Sequence, residues 1–197
     1  KVLAPKAGEA ILDLCAAPGG KTMQLAASGA TVTALDVSEV RMKRVSENLE
    51  RTGLTADCLV GDALEHEGGP YDAILLDAPC TATGTIRRHP DLPRAKDGGE
   101  FPGLFELQEY MIDRAIGLLK PGGRLVFCTC SLLIDEGEEQ VRDAMARHDS
   151  ISLDLDALRL PGVDPDWIGP EGLRILPNYL AEQGGMDGFF ITSFRKA

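Results

Sequence analysis

AILDLCAAPGGKT, residues 10–22, reads as a buried strand that passes directly into a glycine-containing loop and then into the start of a helix. The apolar run closes on Asp13 and Cys15; Ala16, Ala17, Pro18 and the pair Gly19–Gly20 follow, and Lys21 and Thr22 open the next element. Small residues and paired glycines let the backbone approach a ligand closely, and exposed N–H groups there suit a carboxylate or a phosphate. A nucleotide-triphosphate loop is excluded, because that pattern needs glycine where Cys15 stands. The dinucleotide fingerprint G-x-G-x-x-G is absent too. Asp36, 23 residues after Asp13, nevertheless occupies the place of a ribose-binding acid.

Four more apolar runs share the character of the first: ATVTALD, DCLVGD, YDAILLD and GRLVFCTC, each bounded by Gly, Asp or Pro. Helical patterns separate most of them. Residues 38–52 put Met42, Val45 and Leu49 on one face and stop at Gly53, and residues 104–119 repeat the pattern with Leu104, Leu107, Met111, Ala115 and Leu118. DEGEEQVRDAMARH, from Asp135, reads as a capped helix after the fifth strand, and GFFITSFRKA as a final edge or antiparallel strand. Strand and helix alternate, so the sheet is expected to be mostly parallel. Residues 149–180 carry no assignable pattern, and no internal repeat or low-complexity linker divides the chain.

Ligands of an open parallel sheet bind beyond the carboxyl ends of its strands, where loops and helix starts point into one crevice. Those ends carry Asp36, Asp62, Asp77 with Cys80, and Cys130. A single acid there is more often a helix cap; three acids and two thiols on one edge point to a site. A ligand with a ribose and a carboxylate but no pyrophosphate fits, and S-adenosylmethionine meets those terms. Its carboxylate is expected on the Gly19–Gly20 loop, its ribose on Asp36 and its adenine amino group near Asp62. Lys21, next to that loop, is expected to contact a carboxylate or the substrate.

The 197 residues are 44% hydrophobic and 26% charged, which fits one well-packed globular unit. No apolar run is long enough to cross a bilayer and the first residues lack a signal-peptide core, so the expected location is the cytoplasm. Five cysteines scattered through apolar segments suit reduced thiols better than a disulfide framework. Cys15, Cys58 and Cys128 read as core residues, and two thiols without a matching pair do not make a zinc site, so no metal is expected. A net charge of −11 is the wrong sign for a free-standing nucleic-acid binder. Residues 87–96 form a local exception, with Arg87, Arg88, His89, Arg94 and Lys96 against Asp91.

DLCAAPGGKT, DAPC followed by TATGTIRRHPD, then TCS and the terminal DGFF together resemble the RNA (cytosine-5) methyltransferases of the Sun/Fmu/Nop2 group, in particular its bacterial 16S ribosomal RNA members. The resemblance covers essentially the whole chain in order. It implies a Rossmann-like class I methyltransferase fold, a mostly parallel seven-stranded sheet with helices on both faces. It implies S-adenosylmethionine as cofactor, held by Cys15, Ala16, Ala17, Pro18, Gly19, Gly20, Lys21, Asp36, Asp62 and Asp77, and RNA as partner of a monomer, with Arg87 and Arg88 on the substrate side. It also implies that residues 1–197 are the catalytic domain, without the group's amino-terminal RNA-binding region.

Carbon 5 of cytosine is too weak a nucleophile to take a methyl group until a thiolate adds at carbon 6. The resemblance gives that role to Cys130 of TCS, and proton removal and product release to Cys80 of DAPC. Asp77 can hydrogen-bond the pyrimidine edge near nitrogen 3, and Pro79 fixes the backbone between acid and thiol. Cys128 is a thiol the motif does not require. Phe189 and Phe190 are expected in core or lid packing, with one able to stack on a base. A DNA cytosine methyltransferase would instead use Cys80 as nucleophile, and the second cysteine in TCS argues against it. A catalytically idle cofactor-binding module of ribosome assembly would need neither thiol.

Overall fold

The computed structural model describes residues 1–95 and 97–197; Lys96, the last member of the expected basic cluster, lies outside them. Five parallel strands form first: β1 (Ala10–Leu14), β2 (Thr31–Asp36), β3 (Asp57–Val60), β4 (Tyr71–Asp77) and β5 (Leu119–Thr129). Three more follow, β6 (Ile151–Leu153), β7 (Leu173–Ile175) and β8 (Phe189–Lys196), and all pair antiparallel through β8. The order is β3-β2-β1-β4-β5-β8-β6, with β7 joined to β8 off that path. The expected seven strands are therefore present as a path, and β7 makes an eighth. β8 is antiparallel as expected but is no edge, because β5 lies on one side of it and β6 and β7 on the other.

Period-two alternation sends each strand's side chains to opposite faces. Leu12, Leu14, Ile74, Leu76, Leu125 and Phe127 pack on one face under α4 (Phe101–Leu118) and α5 (Glu138–Arg147), which contribute Met111, Ile112, Ala115, Val141 and Ala144, while α3 (Leu92–Ala95) is a single turn in the basic segment. Ile11, Val32, Ala73, Leu75 and Val126 face the other way, toward Leu25 of α1 (Gly20–Ala26). α2 (Glu39–Thr52) lies beside α1 on that face, with Met42, Val45 and Leu49 buried as its spacing requires. Ser38 caps α2 by accepting from the Arg41 N–H, and Gly53 closes it at φ 65°, the left-handed conformation that glycine tolerates best.

The helix expected from Asp135 begins later. A short turn over Ile134–Glu136 precedes α5, whose first cap is Gly137 with no side-chain hydrogen bond. Asp135 is not the cap because the chain first dips inward to bury Glu136. The unassigned 149–180 region holds β6, β7 and two short 3-10 turns.

Candidate active site

The carboxyl ends of the parallel strands meet because of register. Asp77 of β4 is opposite Cys128 of β5, so the loops that carry Cys80 and Cys130 leave the sheet at the same level. The Gly61 N–H donates to the Asp36 carbonyl at 3.1 Å and draws the end of β3 to that of β2. A cavity of about 450 Å³ opens along this edge, lined by Asp36, Asp62, Asp77, Cys80 and Cys130 with Cys15, Ala17, Val37 and Arg41 among its other walls. The five groups expected at the strand ends thus share one cavity. Ala16, Pro18, Gly19, Gly20 and Lys21 lie outside its lining.

Gly19 adopts φ 97°, and a Cβ there would come within 3.2 Å of the Val45 Cα, so its smallness lets the loop lie on α2. The Pro18 carbonyl accepts from the Asn48 amide at 3.1 Å on the same helix. Asp36 is buried and accepts the Ala17 N–H at 3.1 Å and the Ser38 N–H at 3.0 Å. Arg41, which the sequence did not single out, pairs with Asp36 at 3.4 Å and donates to the Ala17 carbonyl at 2.6 Å. One carboxyl thereby organises the loop after β1 from the end of β2.

Lys21 meets a carboxylate from the protein itself: its Nζ lies 2.6 Å from Asp77 Oδ2. The Cys128 thiol donates to Asp77 Oδ1 at 3.4 Å. Cys128 is buried in the core, as expected, and burial holds its thiol well above the ordinary range with Asp77 adding to the effect. It and Cys130 do not share a pocket, because Cys130 stands past the end of β5. Burial works against the Lys21 ammonium, yet Asp77 and Cys128 facing it keep its pKa above the ordinary value. Cys15 and Cys58 are half-buried, not fully in the core, and burial beside Asp36 and Asp77 pushes Cys15 to about 12.

The decisive contact is between two sulfurs. Cys80 Sγ and Cys130 Sγ are 3.5 Å apart, close enough for one thiol to donate to the other. The bond between the two sulfurs lowers the pKa of Cys130, with Lys21 acting in the same direction against burial and Asp77. Cys80 is pushed strongly upward by the same bond, by burial, and by the nearby Glu136. Of the two thiols, Cys130 is therefore the more readily deprotonated and Cys80 the less.

The basic segment is partly neutralised. Arg87 donates to the Gly184 carbonyl and Arg88 pairs with Asp187 at 2.7 Å. Phe190 is fully buried, while half-buried Phe189 lies with Lys21 5.8 Å from its ring centroid. Among the described residues no cluster of His, Cys, Asp or Glu could hold a metal ion.

The model of the 16S rRNA methyltransferase RsmB/F family matches residues 1–195. The chain belongs to that family. Ribosomal RNA small subunit methyltransferase B of Vibrio cholerae is 44% identical to this RsmB/F-family chain over 200 residues, 98% of this chain and 43% of that protein. The Shewanella oneidensis protein of the same name is 39% identical over 202 residues. The chain spans less than half the length of these curated relatives. Among solved structures, NSun6 from Pyrococcus horikoshii with SFG superimposes at TM-score 0.84 with 32% identity, over 99% of this chain and 50% of that one. A methyltransferase homologue from the same organism gives 0.81 with 31% identity, over 99% and 64%. The architecture is the Rossmann-like class I methyltransferase fold.

Beneath the RsmB/F-type loop, Asp13 is fully buried, accepts from the Thr22 hydroxyl at 2.6 Å and leaves Oδ1 without a partner among the described residues. Burial, with Asp77 adding to it, raises its pKa to about 7. Its unfolded value is lower, so the stability it contributes is complete below about pH 4 and is lost as pH rises through 7. Asp13→Asn removes that titration and keeps an acceptor for Thr22. The variant's stability relative to the parent is expected to improve from pH 4 to pH 7 by as much as roughly 4 kcal/mol. Urea unfolding at both ends of the range checks this, and a difference that stays flat would contradict it.

Proposed function

We propose that the protein methylates carbon 5 of cytosine in RNA, ribosomal RNA being the substrate class and S-adenosylmethionine the donor, in the cytoplasm. The observation that carries this reading is the Cys80–Cys130 pair, 3.5 Å apart on the wall of a cavity it shares with Asp36, Asp62 and Asp77. A cavity of about 450 Å³ suits a cofactor-sized ligand. Asp36 offers carboxyl oxygens to a ribose, and Val37, 73% exposed, offers an apolar wall to a purine. Asp62 stands at the same wall for an amino group. When bound, S-adenosylmethionine supplies an electrophilic methyl group.

The chain's own residues do the rest. The Cys130 thiolate attacks carbon 6, and the electron pair of the carbon 5–carbon 6 double bond becomes available at carbon 5. Asp77, pinned by Lys21 and Cys128, faces the ring edge. Cys80 cannot begin as a base, since its proton is held by the neighbouring thiolate. Once the Cys130 sulfur is consumed in the bond to carbon 6, that negative charge is gone and the half-buried Cys80 thiol can pass its proton to solvent water in the cavity, becoming a thiolate. It then takes the proton of carbon 5, the double bond re-forms and Cys130 leaves as thiolate. Arg87 and Arg88 would exchange Gly184 and Asp187 for phosphates.

Bisulfite mapping of ribosomal RNA from cells with and without the gene tests the reaction. At least one cytosine should resist conversion only when the gene is present; identical maps would refute the reading. The cofactor assignment has its own check. Asp36→Ala should weaken S-adenosylmethionine binding at least tenfold in calorimetry, since losing a charge-assisted bond costs about 1.5–3 kcal/mol. Unchanged affinity would remove Asp36 from the ribose.

A further inference from the structure

Glu136 is a fully buried carboxyl that the reaction above does not use. Three donors converge on it: the Thr81 N–H at 2.9 Å, the Thr81 hydroxyl at 2.5 Å and the Gln108 side-chain amide at 3.0 Å. The same Gln108 amide donates to the Pro79 carbonyl at 2.8 Å. Pro79 and Thr81 flank Cys80, so the peptide is gripped on both sides of that thiol. Turning the amide over would set Oε1 against two oxygens, and Oε1 has no partner among the described residues. Gln108 therefore has one usable orientation.

The other end of the clamp reaches Cys130. The Thr129 hydroxyl donates to the Glu136 carbonyl at 2.8 Å, and the Ser131 hydroxyl lies 3.3 Å from that of Thr81. Thr129 and Ser131 flank Cys130. The carboxylate and amide grip the Cys80 segment, and the Glu136 main-chain carbonyl and the Thr81 hydroxyl tie that grip to the Cys130 segment, which constrains the separation of the sulfurs in a way that apolar packing does not.

We infer that Glu136 and Gln108 are positioning residues that hold the Cys80 loop against the Cys130 segment and so fix the two thiols at hydrogen-bonding distance. The inference rests on the reading of Cys130 as nucleophile and Cys80 as its partner. The clamp holds Cys80 where it can donate to the Cys130 thiolate and where it waits for the carbon 5 proton. Cys130 also feels Asp77, Lys21 and Arg88, none of which belongs to the clamp.

The test is the pH dependence of Cys130 alkylation by iodoacetamide, followed peptide by peptide in a mass spectrometer, with no RNA or cofactor present. Glu136→Gln leaves one acceptor where the donors need two, and Thr81→Val removes the 2.5 Å bond without changing shape. In both variants the alkylation midpoint of Cys130 should rise by about half a pH unit or more, as its donor drifts away. A residue that only stabilised the fold would lower the melting temperature and leave that midpoint alone. A folded Glu136→Gln protein titrating Cys130 like the parent overturns the inference; if that variant does not fold, an unshifted midpoint in Thr81→Val does so. Failure of the methylation reading would show in the bisulfite maps and leave this titration readable.

Discussion

Cys130→Ala is expected to abolish methyl transfer and with it any covalent RNA adduct, whereas Cys80→Ala should transfer the methyl group and then stall with RNA still attached. The asymmetry follows from the roles proposed for the two sulfurs. The contact between the two sulfurs, 3.5 Å apart, lowers the pKa of Cys130, while deprotonation of Cys80 is opposed by the sulfur it faces and by Glu136. Removing the nucleophile removes the bond that activates the ring, a loss of many orders of magnitude. Removing the partner leaves that bond intact and the carbon 5 proton in place, so nothing expels the thiolate. Denaturing electrophoresis after incubation with RNA and S-adenosylmethionine reads both outcomes, with each variant made in the protein as the cell produces it. An adduct in Cys130→Ala and none in Cys80→Ala would exchange the roles and favour the mechanism of a DNA-type enzyme.

The parallel half of the fold was legible because β1, β2, β4 and β5 are largely buried; β3, expected to share that character, is an exposed edge strand. YDAILLD could be bounded to the residue, since Pro70 precedes it and the acid that ends it opens a proline-containing loop. The antiparallel half was less so. β6 and β7 have three residues each, too few to display a period, and β7 owes its existence to pairing with β8. Its Arg174 shows what that pairing does: the guanidinium donates to the Ser131 carbonyl at 2.5 Å, pairs with Glu138 and lies 4.9 Å from the Phe190 ring centroid. A strand from the stretch without pattern thus braces the residue after Cys130.

At the site, the strand-end acids and thiols could be named because position after a strand is a geometric statement. The buried support could not. Glu136 sits in DEGEEQ, a run of acids that reads as a solvated helix start, and nothing local separates the one buried carboxyl from exposed Asp135. Gln108 did leave a signal. It stands one residue after Leu107 and three before Met111, on the stripe that α4 buries, and a polar residue on such a stripe must find partners inside. Cys128 shows the opposite limit: its burial was readable from the strand pattern, but its thiol contact with Asp77 depends on the register of β4 against β5.

Gly84→Ala is the substitution expected to damage both the fold and the site most among changes that leave every functional side chain in place. Gly84 lies in the short 3-10 turn Thr83–Thr85 within TATGTIRRHPD, where three pieces of backbone meet. Its N–H donates to the Cys130 carbonyl at 2.9 Å, and its own carbonyl accepts from the Gly188 N–H at 2.8 Å. A Cβ at this position would stand 2.9 Å from the Cys130 carbonyl oxygen and closer still to that of Gly188. Both obstacles are main chain, so no rotamer change relieves them, and Leu132 is already packed against Gly188 from another side. The turn must therefore move off the Cys130 segment. Overpacking of this kind costs about 3 kcal/mol, and a displacement of about 1 Å between the thiols would lower activity on the order of 10²-fold. Urea unfolding and the initial rate of methyl transfer measure the two effects separately. A variant with the parent's stability and rate would show that the Gly84 contact does not hold the Cys80 loop to the Cys130 segment; a variant with normal stability but slow transfer would show that it sets the geometry without carrying the fold.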